Sequence, residues 1–317
     1  MLTAYAIRVT ALCQQRFVVL QHVCDFVGDQ RAQRLGLQHA HVAAPAQQPA
    51  QQVALVTGAS SGIGKATAIA LATAGFQVIG TGRNTARSTA PAGVTYLDLD
   101  VTNDESVATV VKQVIDQFGH IDVLVNNAGV GATGAAEEFS IAQTQDIFDI
   151  NVYGVMRMTK AVLPHMRAQR RGRIINVSSL SGFVPSPFMA LYVSTKHAVE
   201  GYSGSLDHEV RDYGVRILLV EPGPINTPFG AHSVQADTPL PLYESGRRNY
   251  EEVLAKNTSN GDDPAVVAKI ILKAATDPNP KLRRTAGSTA ATVSTLHRIV
   301  PARIFDRIIR RFNRMPS

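Results

Sequence analysis

Six short apolar runs recur along residues 51–286: VALVTG, FQVIGT, VTYLDLD, IDVLVNN, GRIINVSS and VRILLVEPG. Each is rich in β-branched residues and too short for a stable core helix. Longer stretches of helical periodicity separate them. The runs are continuously apolar rather than alternating, as expected of strands buried on both faces. Strand and helix in strict alternation predict an α/β fold: a three-layer α/β/α sandwich around a mostly parallel sheet. KLRRTAG, at 281–287, is a weaker candidate for a seventh strand.

The flanks differ from this middle. Residues 1–50 are rich in Gln, Ala and His and end in HVAAPAQQPA. Their opening apolar run is broken by Arg8 and by Gln14–Gln15, so it reads poorly as a signal peptide. A mobile extension or short surface helix is expected. Cys13 and Cys24 make no disulfide framework, so nothing requires an oxidising compartment and a cytoplasmic protein is expected. No apolar run reaches the roughly 18 residues of a membrane span.

Residues 287–317 end in HRIVPARIFDRIIRRFNRMPS. Ile304, Phe305, Ile308, Ile309 and Phe312 recur at helical spacing, with Arg303, Arg307, Arg310, Arg311 and Arg314 between them. Such a basic amphipathic helix would dock over a substrate mouth or a neighbouring subunit, or touch an anionic membrane surface weakly. Nucleic acid is not expected, because no recognition motif accompanies the basic residues. The net charge of +6 suits a phosphorylated cofactor equally well.

TGASSGIG, residues 57–64, follows the first run directly and opens a helical pattern, KATAIALATAG, that ends with Gly75 as its cap. Gly58, Gly62 and Gly64 allow a tight turn and close approach to a ligand, with Ser60, Ser61 and Ile63 between them. The helix behind points free N–H groups and its positive end at that place, which suits a pyrophosphate. The spacing is GxxxGxG, not the GxGxxG of the ordinary dinucleotide fingerprint.

After the second run comes Thr81-Gly82-Arg83-Asn84. A site preferring NAD wants a carboxylate there for the ribose hydroxyls. Arg83 would instead meet a 2′-phosphate, so NADP is expected over NAD, with NAD possible. Asp100 ends the third run, where it would accept from an adenine amino group; Thr102 and Glu105 have capping-box spacing. In NNAG, residues 126–129, small Ala128 and Gly129 let the chain pass beside a cofactor. Asn126 is a cofactor contact, a sheet-pinning residue, or both.

Ser178 and Ser179 end the fifth run, and Tyr192 and Lys196 lie on a helix expected to begin near Phe188. Residues four apart share a helix face. An ammonium beside a phenol favours the phenolate, so Lys196 is expected to lower the Tyr192 pKa from about 10. Tyr192 would then exchange a proton with a carbonyl oxygen as hydride moves. Ser179 would bond the same oxygen. Asn151, polar between Ile150 and Val152, would bind a water linking Lys196 to solvent.

Taken in order, TGASSGIG, the DV pair Asp100–Val101, NNAG, Asn151, Ser179, Tyr192, Lys196 and EPGPINT resemble the short-chain dehydrogenase/reductase family over about residues 51–230. The resemblance implies a Rossmann-like domain with a seven-stranded sheet and an Asn151–Ser179–Tyr192–Lys196 tetrad. It also implies that Lys196 and Tyr192 touch the cofactor. Pro222, Gly223, Ile225 and Thr227 would meet its nicotinamide end, and Arg83 matches the base of NADP-using members. A homodimer or homotetramer is implied as well. YVSTKHAVEGYSGSLDHEV and the basic tail resemble most the hydroxysteroid/retinol-dehydrogenase-like branch, which implies a bulky apolar alcohol or ketone. The long N-terminal segment departs from the family pattern.

The stretch after Thr227, residues 228–260, has the length of a substrate lid. Phe183, Phe188 and Phe229, with Ser179 and Tyr192, are the candidate substrate contacts. No metal site is expected, since His197 and His208 lack partners at ligand spacing. The alternatives are a reductase of short or polar carbonyls, such as a sugar, a small ketone or an acyl thioester, and a non-catalytic NADP-binding regulator.

Overall fold

All four residues of the first strand, β1 (Val53–Val56), are buried, as a strand covered on both sides requires. The computed structural model describes residues 51–315. The expected N-terminal extension and its two cysteines lie outside the described residues.

After β1 the chain runs through α1 (Gly62–Thr73), β2 (Gln77–Gly82), β3 (Val94–Asp98), α2 (Asp104–Phe118), β4 (Val123–Asn126) and the two-residue β5 (Ala132–Thr133). Next come α3 (Ile141–Phe148), a π-helical turn over Asp149–Tyr153, α4 (Gly154–Ala168), β6 (Gly172–Val177), α5 (Ala190–Val210) and β7 (Val215–Pro222). The remainder comprises β8 (Val234–Gln235), α6 (Glu244–Ser259), α7 (Pro264–Thr276), β9 (Arg283–Ala286), α8 (Ser288–Ile299) and α9 (Ala302–Phe312). All six apolar runs are strands, and KLRRTAG contains the seventh, β9.

The main sheet has the order β3-β2-β1-β4-β6-β7-β9, and every pairing in it is parallel. One face is covered by α1 and α7, through Ala68, Leu71, Val267 and Ile271. The other is covered by α2, α4 and α5, through Val110, Val114, Met158, Val162 and Leu206. This is the Rossmann-like α/β/α sandwich that the alternation predicts. From β1 the chain winds outward to β3, then returns to β4 and winds the other way. That reversal opens a crevice beyond the C-terminal ends of β1 and β4, where ligands of such sheets bind.

Several local expectations shift. The cap of α2 is Asn103, whose side chain accepts from Ser106 N at 2.7 Å. Thr102, the expected cap, instead donates through N and Oγ1 to Asp100 Oδ1. The tyrosine helix starts at Ala190 rather than Phe188, because Phe188 takes a left-handed φ of 56°. The lid region is more structured than its composition suggests. Within it, β8 pairs with β5, and α6 is held by an ion pair of Arg247 with the fully buried Glu138.

Candidate active site

The turn after β1 is shaped by contacts that only glycine permits. Gly58 has φ 64°, and a Cβ there would stand 3.0 Å from Ala128 Cα. A Cβ on Gly64 would overlap Gly58 O, so Gly64 closes the turn onto α1 rather than facing the cleft. Ser61 precedes α1 with extended backbone and makes no side-chain capping bond. The first N–H groups of α1 are therefore left for a ligand. Ser60, Ser61, Gly62 and Ile63 line the cleft beside them.

At the end of β4 its last residue, Asn126, and Asn127 just beyond it turn to opposite sides, as neighbours on extended chain do. Asn126 is buried and donates to Asn176 Oδ1 at 2.8 Å, pinning β4 to β6. It does not line the cleft, so of its two readings the structure places it as the sheet-pinning residue. Asn127, which sequence reasoning passed over, faces the turn. It donates through Nδ2 to Thr57 O at 2.9 Å and to Gly58 O at 3.1 Å. Thr57 Oγ1 returns the brace by accepting from Asn127 N and Ala128 N, each at 3.0 Å. Ala128, Gly129, Asp100, Val101 and the exposed Arg83 line the same cleft. Hydrogen bonds from Thr102 hold the Asp100 carboxyl below the usual carboxylate range, so it stands ready as an acceptor.

At the far end, β6 and α5 bring Ser179, Tyr192 and Lys196 together on the cleft wall. Tyr192 is 7% exposed. Lys196 Nζ lies 5.6 Å from its ring centroid and donates to Val177 O at 2.9 Å. Burial dominates both groups. It pushes the phenol up to about 12, opposed by the Ser179 hydroxyl. It pulls Lys196 down to about 8, opposed by the charge of Glu200. The expected lowering of the phenol pKa by Lys196 is therefore not found: loss of hydration raises it, and the group that opposes the rise is the Ser179 hydroxyl. Asn151, in the π-helical turn, is committed elsewhere too. Its Oδ1 accepts from Val130 N at 2.8 Å, and its Nδ2 donates to Val130 O at 2.8 Å and to Thr195 Oγ1 at 3.2 Å. The side chain clamps the loop after β4 to the tyrosine helix.

The cleft has a volume of about 990 Å³ and runs from Arg83 past Tyr192 to the C-terminal helices. Pro222, Gly223, Ile225 and Thr227 line it at the end of β7. Of the three phenylalanines named as candidate substrate contacts, only Phe229 lines the cleft, with its ring 5.7 Å from that of Tyr192. Phe183 packs instead on His297, and Phe188 packs between Tyr243 and Tyr250. The apolar wall comes from Met189, Tyr250, Leu254, Leu296, Phe305 and Ile309. The basic tail is thus two helices, broken at Pro301, whose apolar face roofs the cleft.

A family model described as "short chain dehydrogenase" matches residues 52–238. The chain belongs to the short-chain dehydrogenase family. It is therefore related to oxidoreductases that use a nicotinamide cofactor. It is 38% identical over 246 residues to the 3-ketodihydrosphingosine reductase of Bacteroides thetaiotaomicron, covering 74% of this chain and 88% of that protein. It is 35% identical over 273 residues to retinol dehydrogenase 8 of Bos taurus, covering 80% and 87%. Among solved structures, a short-chain dehydrogenase/reductase of Burkholderia phymatum in complex with NAD superposes with a TM-score of 0.68. It is 26% identical, over 78% of this chain and 92% of that one. ElxO with NADP bound gives 0.63 at 27% identity, over 76% and 99%.

The site of this short-chain dehydrogenase fits a dinucleotide on its own geometry. The glycine turn leaves a cradle that Cβ atoms would fill: one on Gly62 would stand 3.3 Å from Thr227 Cγ2. The uncapped helix start presents donors to a pyrophosphate, and Arg83 and Asp100 lie at one end of the cleft, Tyr192 and Lys196 at the other.

Proposed function

We propose that this short-chain dehydrogenase interconverts an alcohol and a carbonyl on a bulky apolar substrate, steroid-, retinoid- or lipid-like, with NADP(H) preferred over NAD(H). The nicotinamide cofactor supplies or takes up the hydride. Tyr192 holds the proton that the carbonyl oxygen receives in reduction. Ser179 bonds that oxygen and steadies its developing charge. Lys196, behind Tyr192, provides the positive charge that a phenol pushed up to about 12 needs if it is to release its proton near neutrality. Asn151 keeps the loop after β4 fixed to the helix that carries both residues.

The observation that carries the substrate class is the roof. Leu296, Phe305 and Ile309 close an apolar wall over the cleft that contains Tyr192. A short polar carbonyl would leave that wall wetted; a long apolar body would cover it. The names of the sphingoid-ketone and retinol relatives point the same way. For the cofactor, Arg83 stands exposed at the cleft end where a 2′-phosphate would lie.

The test is a panel of carbonyl substrates graded from small ketones and sugars to long-chain and polycyclic ketones, assayed with NADPH and with NADH by nicotinamide absorbance. Highest kcat/KM on the long or polycyclic ketones with NADPH is the expected outcome. Preference for the short polar carbonyls would overturn the substrate assignment, and equal use of NADH would overturn that of the cofactor.

A further inference from the structure

The last helix, α9, sets its side chains in rows four residues apart. Phe305, Ile309 and Asn313 just beyond its end form the inward row, with Phe305 8% and Asn313 5% exposed. Phe305 packs edge-on against His297 of α8, their ring centroids 5.1 Å apart. At the far end Arg314 pairs with Glu252 of α6 at 3.1 Å. The helix is thus tied to the domain along its length. The next row round, Ile304, Ile308 and Phe312, is apolar too, yet its members are 48%, 43% and 60% exposed. A helix that only roofed the cleft would need the inward row alone. A second apolar row left in water costs hydration free energy with nothing to offset it, and marks a surface that meets something else. Ile308 and Phe312 also line the cleft, so this row is a ledge that runs from the cleft rim onto the outer surface.

Beyond the ledge lies a row of arginines. Arg307 and Arg311 stand three residues after Ile304 and Ile308, which makes them neighbours on the helix surface, and Arg303 continues their row. All three are exposed and make no hydrogen bond or ion pair among the described residues. The acidic residue of α9, Asp306, lies off this row. With 11 residues α9 is too short to cross a bilayer, which takes about 20. A helix with an apolar row beside a cationic one lies along the surface of a bilayer instead. The unpaired arginines and the net charge of +6 favour an anionic surface. They also disfavour a second copy of the chain, because a two-fold contact through the ledge would bring two arginine rows together.

We propose that α9 docks the protein on an anionic lipid surface. The ledge of Ile304, Ile308 and Phe312 enters the acyl boundary, and Arg303, Arg307 and Arg311 bind lipid phosphates. The cleft rim at Ile308 and Phe312 then faces lipid rather than water, so an apolar ketone passes from the bilayer into the cleft without being hydrated on the way. This route rests on the bulky apolar substrate class argued above; the docking itself rests on the three rows.

The test sediments the full chain with sucrose-loaded vesicles of phosphatidylcholine, alone or with about one third phosphatidylglycerol. Wild type should pellet with the anionic vesicles at low salt, and at least about tenfold less with neutral vesicles or in about 0.5 M salt. Arg307→Gln/Arg311→Gln should lower the partition coefficient about tenfold or more. Ile304→Glu, which puts a charge on the ledge, should do the same. None of these three residues lines the cleft. Both variants should therefore keep kcat/KM for a small soluble ketone within about twofold, while turnover of a long-chain ketone carried in anionic vesicles falls about tenfold. Wild type that stays in the supernatant with anionic vesicles, or that both variants match in the pellet, overturns the docking. Wild type left in the supernatant as a dimer that Ile304→Glu splits gives the ledge to a second copy and overturns it too. If short polar carbonyls are preferred in free solution, the substrate reading has failed. If long apolar ketones are preferred and vesicles are ignored, only this inference has failed.

Discussion

Lys196 holds its charge where water scarcely reaches it, so removing that charge should stabilise the fold. Burial pulls its pKa from 10.5 down to about 8. Each pH unit is about 1.4 kcal/mol, so at pH 7 the buried ammonium costs about 3 kcal/mol relative to its exposed state in the unfolded chain. Lys196→Met removes that cost and fills a similar volume. It forfeits the hydrogen bond to Val177 O, worth about 1 kcal/mol. The variant should therefore be more stable than wild type at pH 7 by about 2 kcal/mol, or roughly 4–8 °C in Tm for a domain of this size. The pH dependence fixes the cause. Because the folded pKa is depressed, the folded chain sheds this proton before the unfolded chain does, and wild-type stability rises with pH from about 8 to 10.5. The advantage of Lys196→Met should shrink through that window and be close to nil by pH 10. Chemical unfolding of both cofactor-free proteins at pH 7 and pH 10 measures this. A Lys196→Met protein less stable than wild type at pH 7, or one whose advantage persists unchanged at pH 10, would refute the reasoning.

Arg83→Ala should raise the Michaelis constant for NADPH at least about tenfold through lost charge-assisted bonds, and that for NADH less than about twofold, by steady-state kinetics; equal effects on both would remove Arg83 from the 2′-phosphate. Ile309→Ser, in the roof, should raise KM for a long-chain ketone by roughly tenfold while leaving kcat/KM for a small ketone within about twofold. Arg247→Ala strips the fully buried Glu138 of its arginine and leaves its carboxylate to the N–H groups of Ala135 and Leu240, so it should cost about 3 kcal/mol in chemical unfolding.

Much of this site is legible in the sequence because its parts sit at fixed distances from strands that announce themselves. Val53–Val56 and Val215–Pro222 are buried almost throughout, and continuous apolarity is the sign of a strand with helices on both sides. Once those strands are placed, TGASSGIG, NNAG and the serines must fall at their C-terminal ends. What stays hidden depends on parity and distant packing. Asn126 ends β4 and Asn127 lies just beyond it, and local sequence does not say which is turned toward the glycine turn. Phe183 and Phe188 stand next to the catalytic segment in sequence, yet His297 and Tyr250 draw them away from the cleft. The roof residues that replace them come from more than a hundred positions later. The rise of the Tyr192 pKa is hidden for a related reason: helical spacing shows a cation four residues on but not the loss of water around the phenol. The pair β5–β8 is two residues long on each side, too short for any periodic signal.

The account turns on Tyr192 as the group that passes the proton while the cofactor passes the hydride. Tyr192→Phe tests this most directly, with NADPH binding followed by protein fluorescence and ketone reduction by nicotinamide absorbance on the same preparation. The expected result is a dissociation constant within about twofold of wild type and a kcat lowered by about 10²–10⁴-fold. A variant that binds NADPH normally and keeps more than about a tenth of the wild-type kcat would contradict it.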